Sequence, residues 1–241
     1  MSAAANDHPV ARIEIVRWAA RLGAVTAAAL AVRDDSTVTA ARMRLTAAER
    51  HGLLVRDRPL TAQPALYRAT RSGIRLADVR GLAPAQISPA IARHAIACAY
   101  AAAALERSYP DHRVGGEREL RRDERESGKA LASARLGQGC DGPLLHRPDI
   151  VLWPPGGGRP IAVEVELTVK APRRLLAICR AWARCSCVEE VLYLVSAEVR
   201  APLDRAIAGA QAASRIAVLA CPAPSCDEQG SSSERTIPVE S

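Results

Sequence analysis

Residues 147–170 read RPDIVLWPPGGGRPIAVEVELTVK, and this stretch decides the fold of the second half of the chain. From Ile161 to Lys170 a large apolar residue occupies every second position, with Ala162, Glu164, Glu166, Thr168 and Lys170 between them, which is the period-two pattern of a β-strand with one charged face. Ile150 to Trp153 reads as a second, apolar strand, and the Pro- and Gly-rich segment between the two predicts a hairpin connection. The stretch therefore predicts two neighbouring antiparallel strands.

The hairpin also predicts which side chains lie together. If Trp153 lies opposite Pro160, then Asp149 lies directly across from Glu164, and opposed side chains have Cβ atoms roughly 5 Å apart. Glu166, two residues on, is within reach of the same point. Three carboxylates this close repel one another unless a hard cation such as Mg²⁺ or Mn²⁺ binds, or unless some of them face open water. Asp149, Glu164 and Glu166 are therefore candidate metal ligands.

Lys170 is one of only two lysines in the chain, against 31 arginines. Since this sequence uses arginine wherever any cation suffices, a lysine on the carboxylate face indicates a compact charge with an adjustable pKa. On a straight strand Lys170 would lie about 13 Å beyond Glu166, so it reaches the carboxylates only if the strand bulges or ends early. We count Lys170 with the three carboxylates as a candidate catalytic residue.

This pattern resembles the PD-(D/E)XK nuclease superfamily, in which Pro-Asp on one strand is followed by Glu-x-Lys on the next. The matching positions are Pro148-Asp149 and Glu164-Val165-Glu166, and Glu166 stands where the family has its lysine. The resemblance implies a DNA endonuclease in which a bound metal activates water and stabilises the leaving oxygen. Because Lys170 lies four residues beyond the family's lysine position, the match to the catalytic motif is incomplete, whereas the match to the fold is unaffected.

The order of predicted elements agrees with that resemblance. Helices are expected at Ser88 to Ser108, Pro172 to Arg184 and Pro202 to Ser214, and strands around Arg113 to Leu120 and at Val188 to Val195 and Arg215 to Ala220. The fold class is therefore expected to be α+β or α/β, with residues 88–221 forming a PD-(D/E)XK nuclease-like domain that has an αβββαβ core.

Residues 10–82 predict a separate winged helix-turn-helix domain. Three short helices, Glu14 to Leu22, Ala24 to Val32 and Thr37 to His51, precede two strand-like pieces, Leu53 to Arg56 and Ala65 to Thr70. In this domain type the third helix enters the major groove of DNA. The expected DNA contacts are arginines of that helix and the wing, with two more at the start of a later helix, whose dipole favours phosphate: Arg42, Arg44, Arg50, Arg56, Arg58, Arg68, Arg173 and Arg174. The alternative is that these arginines are simply solvated surface.

A winged helix followed by a nuclease-like core resembles the plasmid replication-relaxation family of bacterial proteins, over most of residues 10–220. The motifs that carry the resemblance are Leu66-Tyr67-Arg68-Ala69-Thr70, Gly116-Glu117-Arg118-Glu119-Leu120, Arg147-Pro148-Asp149 and Glu164-Val165-Glu166-Leu167-Thr168. The resemblance implies a DNA-binding role in plasmid replication and relaxation, without defining the chemistry. A homodimer and a replication or relaxase partner stay open as alternatives.

Composition limits the classes of partner. A net charge of +7 and a pI near 9.4 favour a polyanion such as double-stranded DNA, and with 3% aromatic residues base stacking on single strands is disfavoured. No secretory signal and no membrane-length apolar run are evident, which favours a cytoplasmic protein with no membrane partner. Seven cysteines without a regular framework agree with reduced thiols. The polar residues 222–241 are expected to be a disordered tail.

Some further residues are weaker candidates. His146 and His112 are candidate bases, and Glu106, Glu117 or Glu119 would add an outer acidic group to the site. Cys179, Cys185 and Cys187 lack the second matching pair that a zinc site needs. Two function classes follow: a metal-dependent nuclease or nickase, and a non-catalytic DNA-binding scaffold. The position of the Lys170 ammonium relative to the carboxylates should discriminate between them.

Overall fold

A computed structural model describes residues 9–140 and 142–222, and the fold over these residues is mixed α+β. Apart from Pro222, the expected disordered tail at 222–241 lies outside the described residues. The described part contains eight α-helices, a mixed five-stranded sheet and two further sheets of two strands each. No helix of these residues is both long and apolar enough to cross a membrane.

The first part of the chain forms a small helical unit with a hairpin. Its elements are α1 (Pro9–Leu22), α2 (Ala27–Arg33), α3 (Val38–Arg50), the antiparallel strands β1 (Leu54–Asp57) and β2 (Leu66–Ala69), and α4 (Arg71–Leu76). Threonine hydroxyls at 26, 37 and 70 accept backbone N–H groups and so cap α2, α3 and α4. The short α4 was not expected from the sequence.

Helix α5 (Pro89–Ser108) packs on two sides. Ala99 and Ala103 belong to the apolar core of α1 to α3, while Ala101 and Leu105 pack against the five-stranded sheet. Alanine allows this because its small side chain lets neighbouring elements approach the helix closely on both faces. One helix therefore contributes to both cores.

The remaining elements build the sheet and its covering helices. They are β3 (Arg113–Gly116), α6 (Glu117–Ser127), β4 (Ala134–Gly139), β5 (Gly142–His146), β6 (Ile150–Trp153), β7 (Ile161–Glu166), α7 (Pro172–Ala183), β8 (Glu190–Val195), α8 (Ala197–Ala210) and β9 (Ile216–Ala220). The sheet order is β3-β6-β7-β8-β9. The first three strands are antiparallel, and β8 and β9 continue parallel to β7. α5 covers one face, while α7 and α8 cover the other.

Three segments differ from the sequence expectations. The strand expected around Arg113 to Leu120 ends at Gly116, because two acidic residues in the first turn favour a helix there and Leu120 is buried on its inner face. Strands β4 and β5, which the sequence did not indicate, pair as an antiparallel hairpin. α8 starts at Ala197, before Pro202, which lies inside the helix.

A close junction joins α1 to β3 and α6. A Cβ atom added to Gly116 would lie 2.7 Å from the backbone oxygen of Arg21, so only glycine permits this approach. The side chain of Glu119 is 5% exposed, and its Oε1 lies 3.4 Å from Arg21, 3.3 Å from Arg113 and 3.6 Å from Arg122. One buried carboxylate therefore connects three elements.

Candidate functional site

The β6–β7 pairing places two of the predicted carboxylates side by side. Ile150 pairs with Val163 and Leu152 with Ile161. One residue further in the same register, Asp149 lies opposite Glu164, as the hairpin pattern predicts. Both residues lie near the end of β7 that leads towards α7.

Asp149 is held by three contacts at the start of β6. Its Oδ2 accepts the Val165 N–H at 2.8 Å, and its Oδ1 lies 2.9 Å from His94 Nε2. Its backbone oxygen accepts the Glu117 N–H at 2.9 Å. Since the side chain bonds to the neighbouring strand, the carboxylate has a defined orientation.

Glu164 is buried and faces the helix on the other side of the sheet. Its Oε1 accepts the Trp182 Nε1–H at 3.2 Å, and His146 Nε2 lies 2.7 Å from the same oxygen. Only 4% of Glu164 is exposed, and the Trp182 N–H is the hydrogen bond that compensates its burial, whereas His146 Nε2 lies close without hydrogen-bond geometry. His146, one of the two candidate bases, therefore lies at the site. His112 instead lines a different cavity, beside Arg113.

Lys170 reaches the carboxylates because β7 ends early. The strand stops at Glu166, the chain turns before α7, and the Lys170 ammonium folds back to form an ion pair with Glu166. The hydrogen bond with Asp149 raises the pKa of His94, and the positive charge of Lys170 opposes part of that rise. Lys170 therefore lies on the site, although its direct partner is a single carboxylate.

The three carboxylates do not converge on a single point. Asp149 contacts His94, Glu164 contacts Trp182 and His146, and Glu166 contacts Lys170. Over residues 9–140 and 142–222, only one group of three potential ligands has its atoms within 4.8 Å of one another, and it combines Asp149 with His94 and Cys98. Glu106, Glu117 and Glu119 lie outside that group.

His94 and Cys98 were not anticipated from the sequence. They lie four residues apart on α5, on a helix read only as a buried apolar element. Cys98 Sγ is 3.3 Å from His94 Nε2. A His-x-x-x-Cys spacing places both side chains on one helix face, but only the packing of α5 on the sheet brings that face to Asp149.

The electrostatics of this group exclude a nucleophilic triad. The hydrogen bond with Asp149 raises the pKa of His94, against the effect of burial. Burial raises the pKa of the Cys98 thiol, and nearby carboxylates raise it further, so the thiol stays protonated at neutral pH. Cys98 and Asp149 also approach the same ring nitrogen, whereas in a triad the base and the orienting acid use different nitrogens.

The predicted DNA-binding arginines fall into two sets. Arg44 forms an ion pair with Asp34, and Arg68 pairs with Asp57 and donates to a backbone oxygen, so both have structural contacts. The others have exposed side chains: Arg42, Arg50, Arg56, Arg58, Arg173 and Arg174. Of these, Arg56 lies 3.7 Å from Glu49.

The cysteines around α7 do not form one cluster. Cys179 is fully buried among apolar residues of α7 and α8. Cys185 and Cys187 are adjacent, with their sulfur atoms 3.0 Å apart. The thiol of Cys187 donates to Cys185 and lowers the pKa of that residue. This pair has no third ligand within 4.8 Å in the part of the chain that the structure describes.

Comparison of the chain with protein-family models, with curated proteins and with solved structures found no match.

Proposed function

We propose that this chain is a double-stranded DNA-binding protein of plasmid or mobile-element replication and relaxation, whose second unit is a metal-dependent DNA endonuclease that nicks its substrate. The observation that carries the proposal is the alignment of Asp149 with Glu164 at one end of adjacent strands, beside the Glu166–Lys170 ion pair. Carboxylates with an adjacent ammonium are the groups that metal-assisted phosphodiester hydrolysis uses.

The order of elements supports the nuclease-like part of this proposal. Three antiparallel strands, β3, β6 and β7, follow α5, with α6 and the β4–β5 hairpin inserted between β3 and β6. Helix α7 then leads to β8, which runs parallel to β7. That order agrees with the αβββαβ core of the PD-(D/E)XK resemblance. In the first unit, three helices followed by a two-stranded hairpin agree with a winged helix, in which α3 would be the recognition helix.

The site residues divide the chemical work. Asp149 and Glu164 carry the hard oxygen ligands that would hold Mg²⁺ or Mn²⁺, which when bound activates water and stabilises the leaving oxygen. His94 and the Val165 N–H orient the Asp149 carboxylate. The Lys170 ammonium balances negative charge beside Glu166. The exposed Arg173 and Arg174, at the start of α7, would hold a phosphate of the backbone.

A second function is favoured by a different observation. Each of the three carboxylates already has a protein partner, so the charges are compensated without a metal ion. This arrangement suits a non-catalytic regulator, in which the nuclease-like unit serves as a scaffold. DNA binding by the first unit is common to both proposals.

Conversion of supercoiled plasmid to the nicked or linear form, with Mg²⁺ or Mn²⁺, tests the catalytic proposal. We expect Asp149→Asn and Glu164→Gln to abolish cutting. Asp204→Asn is the matched control because that carboxylate is 52% exposed on α8, away from the site. If the natural sequence binds DNA but does not cut it, the catalytic proposal is refuted and the non-catalytic regulator is supported.

DNA binding needs its own measurement. Arg42→Ala and Arg50→Ala on α3 should weaken binding of a duplex and reduce the salt dependence of log Kd by about one unit per lost phosphate contact. Arg205→Ala, an exposed arginine on α8, is the control. Equal losses for all three variants would mean that the attraction is non-specific charge and not a property of α3.

A further inference from the structure

Three side chains with different ligand atoms meet where α5 packs on the start of β6. His94 Nε2 is 2.9 Å from Asp149 Oδ1 and 3.3 Å from Cys98 Sγ. All three ligand atoms lie within 4.8 Å of one another. The group therefore offers one nitrogen, one sulfur and one oxygen atom to a common point.

Hydrogen bonding alone accounts poorly for this convergence. The N–H of a single ring nitrogen can point well at only one partner, yet both Asp149 and Cys98 lie against Nε2 of His94. A cation that displaces the proton at Nε2, with the thiol proton of Cys98 released to water, would bind all three atoms at once. The geometry is therefore better matched to a metal ion than to one proton.

The surroundings supply charge and orientation. Asp149 Oδ2 accepts the Val165 N–H, which leaves Oδ1 directed at His94. Such second contacts to a ligand fix its position before a metal binds. The charges of Glu164 and Glu117 also act on Cys98, so the site is in a negative field. The positive charge of Lys170 lies near His94 and would disfavour a bound cation, but this charge is balanced by the ion pair with Glu166.

We propose that His94, Cys98 and Asp149 bind a transition-metal ion of the Zn²⁺ or Co²⁺ class. Mg²⁺ takes oxygen ligands, whereas imidazole and thiolate select borderline and soft metals. Three protein ligands leave a fourth position open in tetrahedral geometry, as in zinc sites that bind water or substrate. Asp149 is shared with the proposed nuclease centre, but metal binding here does not depend on whether the protein cuts DNA.

Titration of the metal-free full chain with Co²⁺ tests this assignment. We expect saturation at one ion per chain, intense visible bands of tetrahedral cobalt, and a near-ultraviolet thiolate-to-cobalt charge-transfer band. Cys98→Ser should remove the charge-transfer band, and His94→Gln should weaken binding at least about tenfold. Zn²⁺ should displace the cobalt, and excess Mg²⁺ should not.

The matched controls use the other thiols. The double variant Cys185→Ser/Cys187→Ser removes the adjacent pair, and Cys140→Ser removes an exposed thiol. Both should keep the natural spectrum. If Cys98→Ser does not fold, as judged by circular dichroism in chelator, Cys98→Ala replaces it, since alanine suits this Ala-rich helix.

Absence of saturable cobalt binding by the natural sequence would overturn the proposal, as would a charge-transfer band that survives loss of Cys98 and disappears with Cys185 and Cys187. The plasmid assay is read separately. A Cys98→Ser chain that still cuts with Mg²⁺ but has lost cobalt binding supports the metal site. Failure of the natural sequence to cut bears on the nuclease proposal alone.

Discussion

Replacement of Glu119 by glutamine should destabilise the protein through the loss of one buried charge. The carboxylate is 5% exposed, and three guanidinium groups lie between 3.3 and 3.6 Å from its Oε1. Breaking a buried ion pair costs about 3–5 kcal/mol. Arg21 and Arg113 are 34% and 46% exposed, so water compensates part of their charge and we expect a loss of about 2–3 kcal/mol. For a chain of this size, that lowers Tm by roughly 5–10 °C.

Glu117→Gln is the control for this measurement. Glu117 lies in the same first turn of α6, so both variants remove one favourable interaction with the helix dipole. The Glu117 side chain is 40% exposed and forms an ion pair with the exposed Arg121. A surface pair of this kind contributes about 0.3–0.5 kcal/mol to the free energy of unfolding. Urea and thermal unfolding of both variants give the comparison. If Glu119→Gln is no less stable than Glu117→Gln, the reasoning is refuted.

Two other predictions concern a glycine contact and a histidine. Gly116→Ala should destabilise the protein by about 1–3 kcal/mol, because the new methyl group would overlap the Arg21 carbonyl. Gly137→Ala is the control, since its methyl group would meet open space. Equal urea midpoints for the two variants would contradict the prediction. The hydrogen bond with Asp149 raises the pKa of His94 in the folded protein above its ordinary value of 6.5. The stability that this hydrogen bond contributes is therefore complete below pH 6.5, and it is lost as the pH rises through the folded-state pKa. In chelator, unfolding free energies at about pH 5.5 and about pH 8.5 should therefore differ less for His94→Gln than for the natural sequence, and an unchanged difference would rule the pair out as the cause.

The hairpin could be predicted in detail because two local signals agree. Strict alternation from Ile161 sets the face of each residue, and the short connection after Trp153 leaves little freedom in register. The helix at Glu117 was missed since its charged residues also suit a solvated strand end and loop. The face of α6 that packs inward could not be identified from the sequence, because it includes the charged Glu124 beside Leu120, and both residues are buried in the structure.

Only part of the candidate site could be predicted, because the rest depends on long-range packing. The neighbours Asp149 and Glu164 follow from strand register. The partner of Asp149 comes from α5, 55 residues earlier in the chain, and no local pattern indicates which turn of that helix docks on β6. Lys170 reaches Glu166 only because β7 ends at Glu166. The alternating pattern continues to Lys170 and therefore predicts a strand that is four residues too long.

The two-sided packing of α5 has a consequence for cooperativity. Ala99 and Ala103 complete the core of the first three helices, so a fragment that stops at residue 82 would expose that core to water. The intact chain should accordingly melt in one calorimetric transition, with neither half acting as an independent folding unit. A fragment that is to keep the first core covered would have to extend through Ser108, which retains α5 and its contacts with that core.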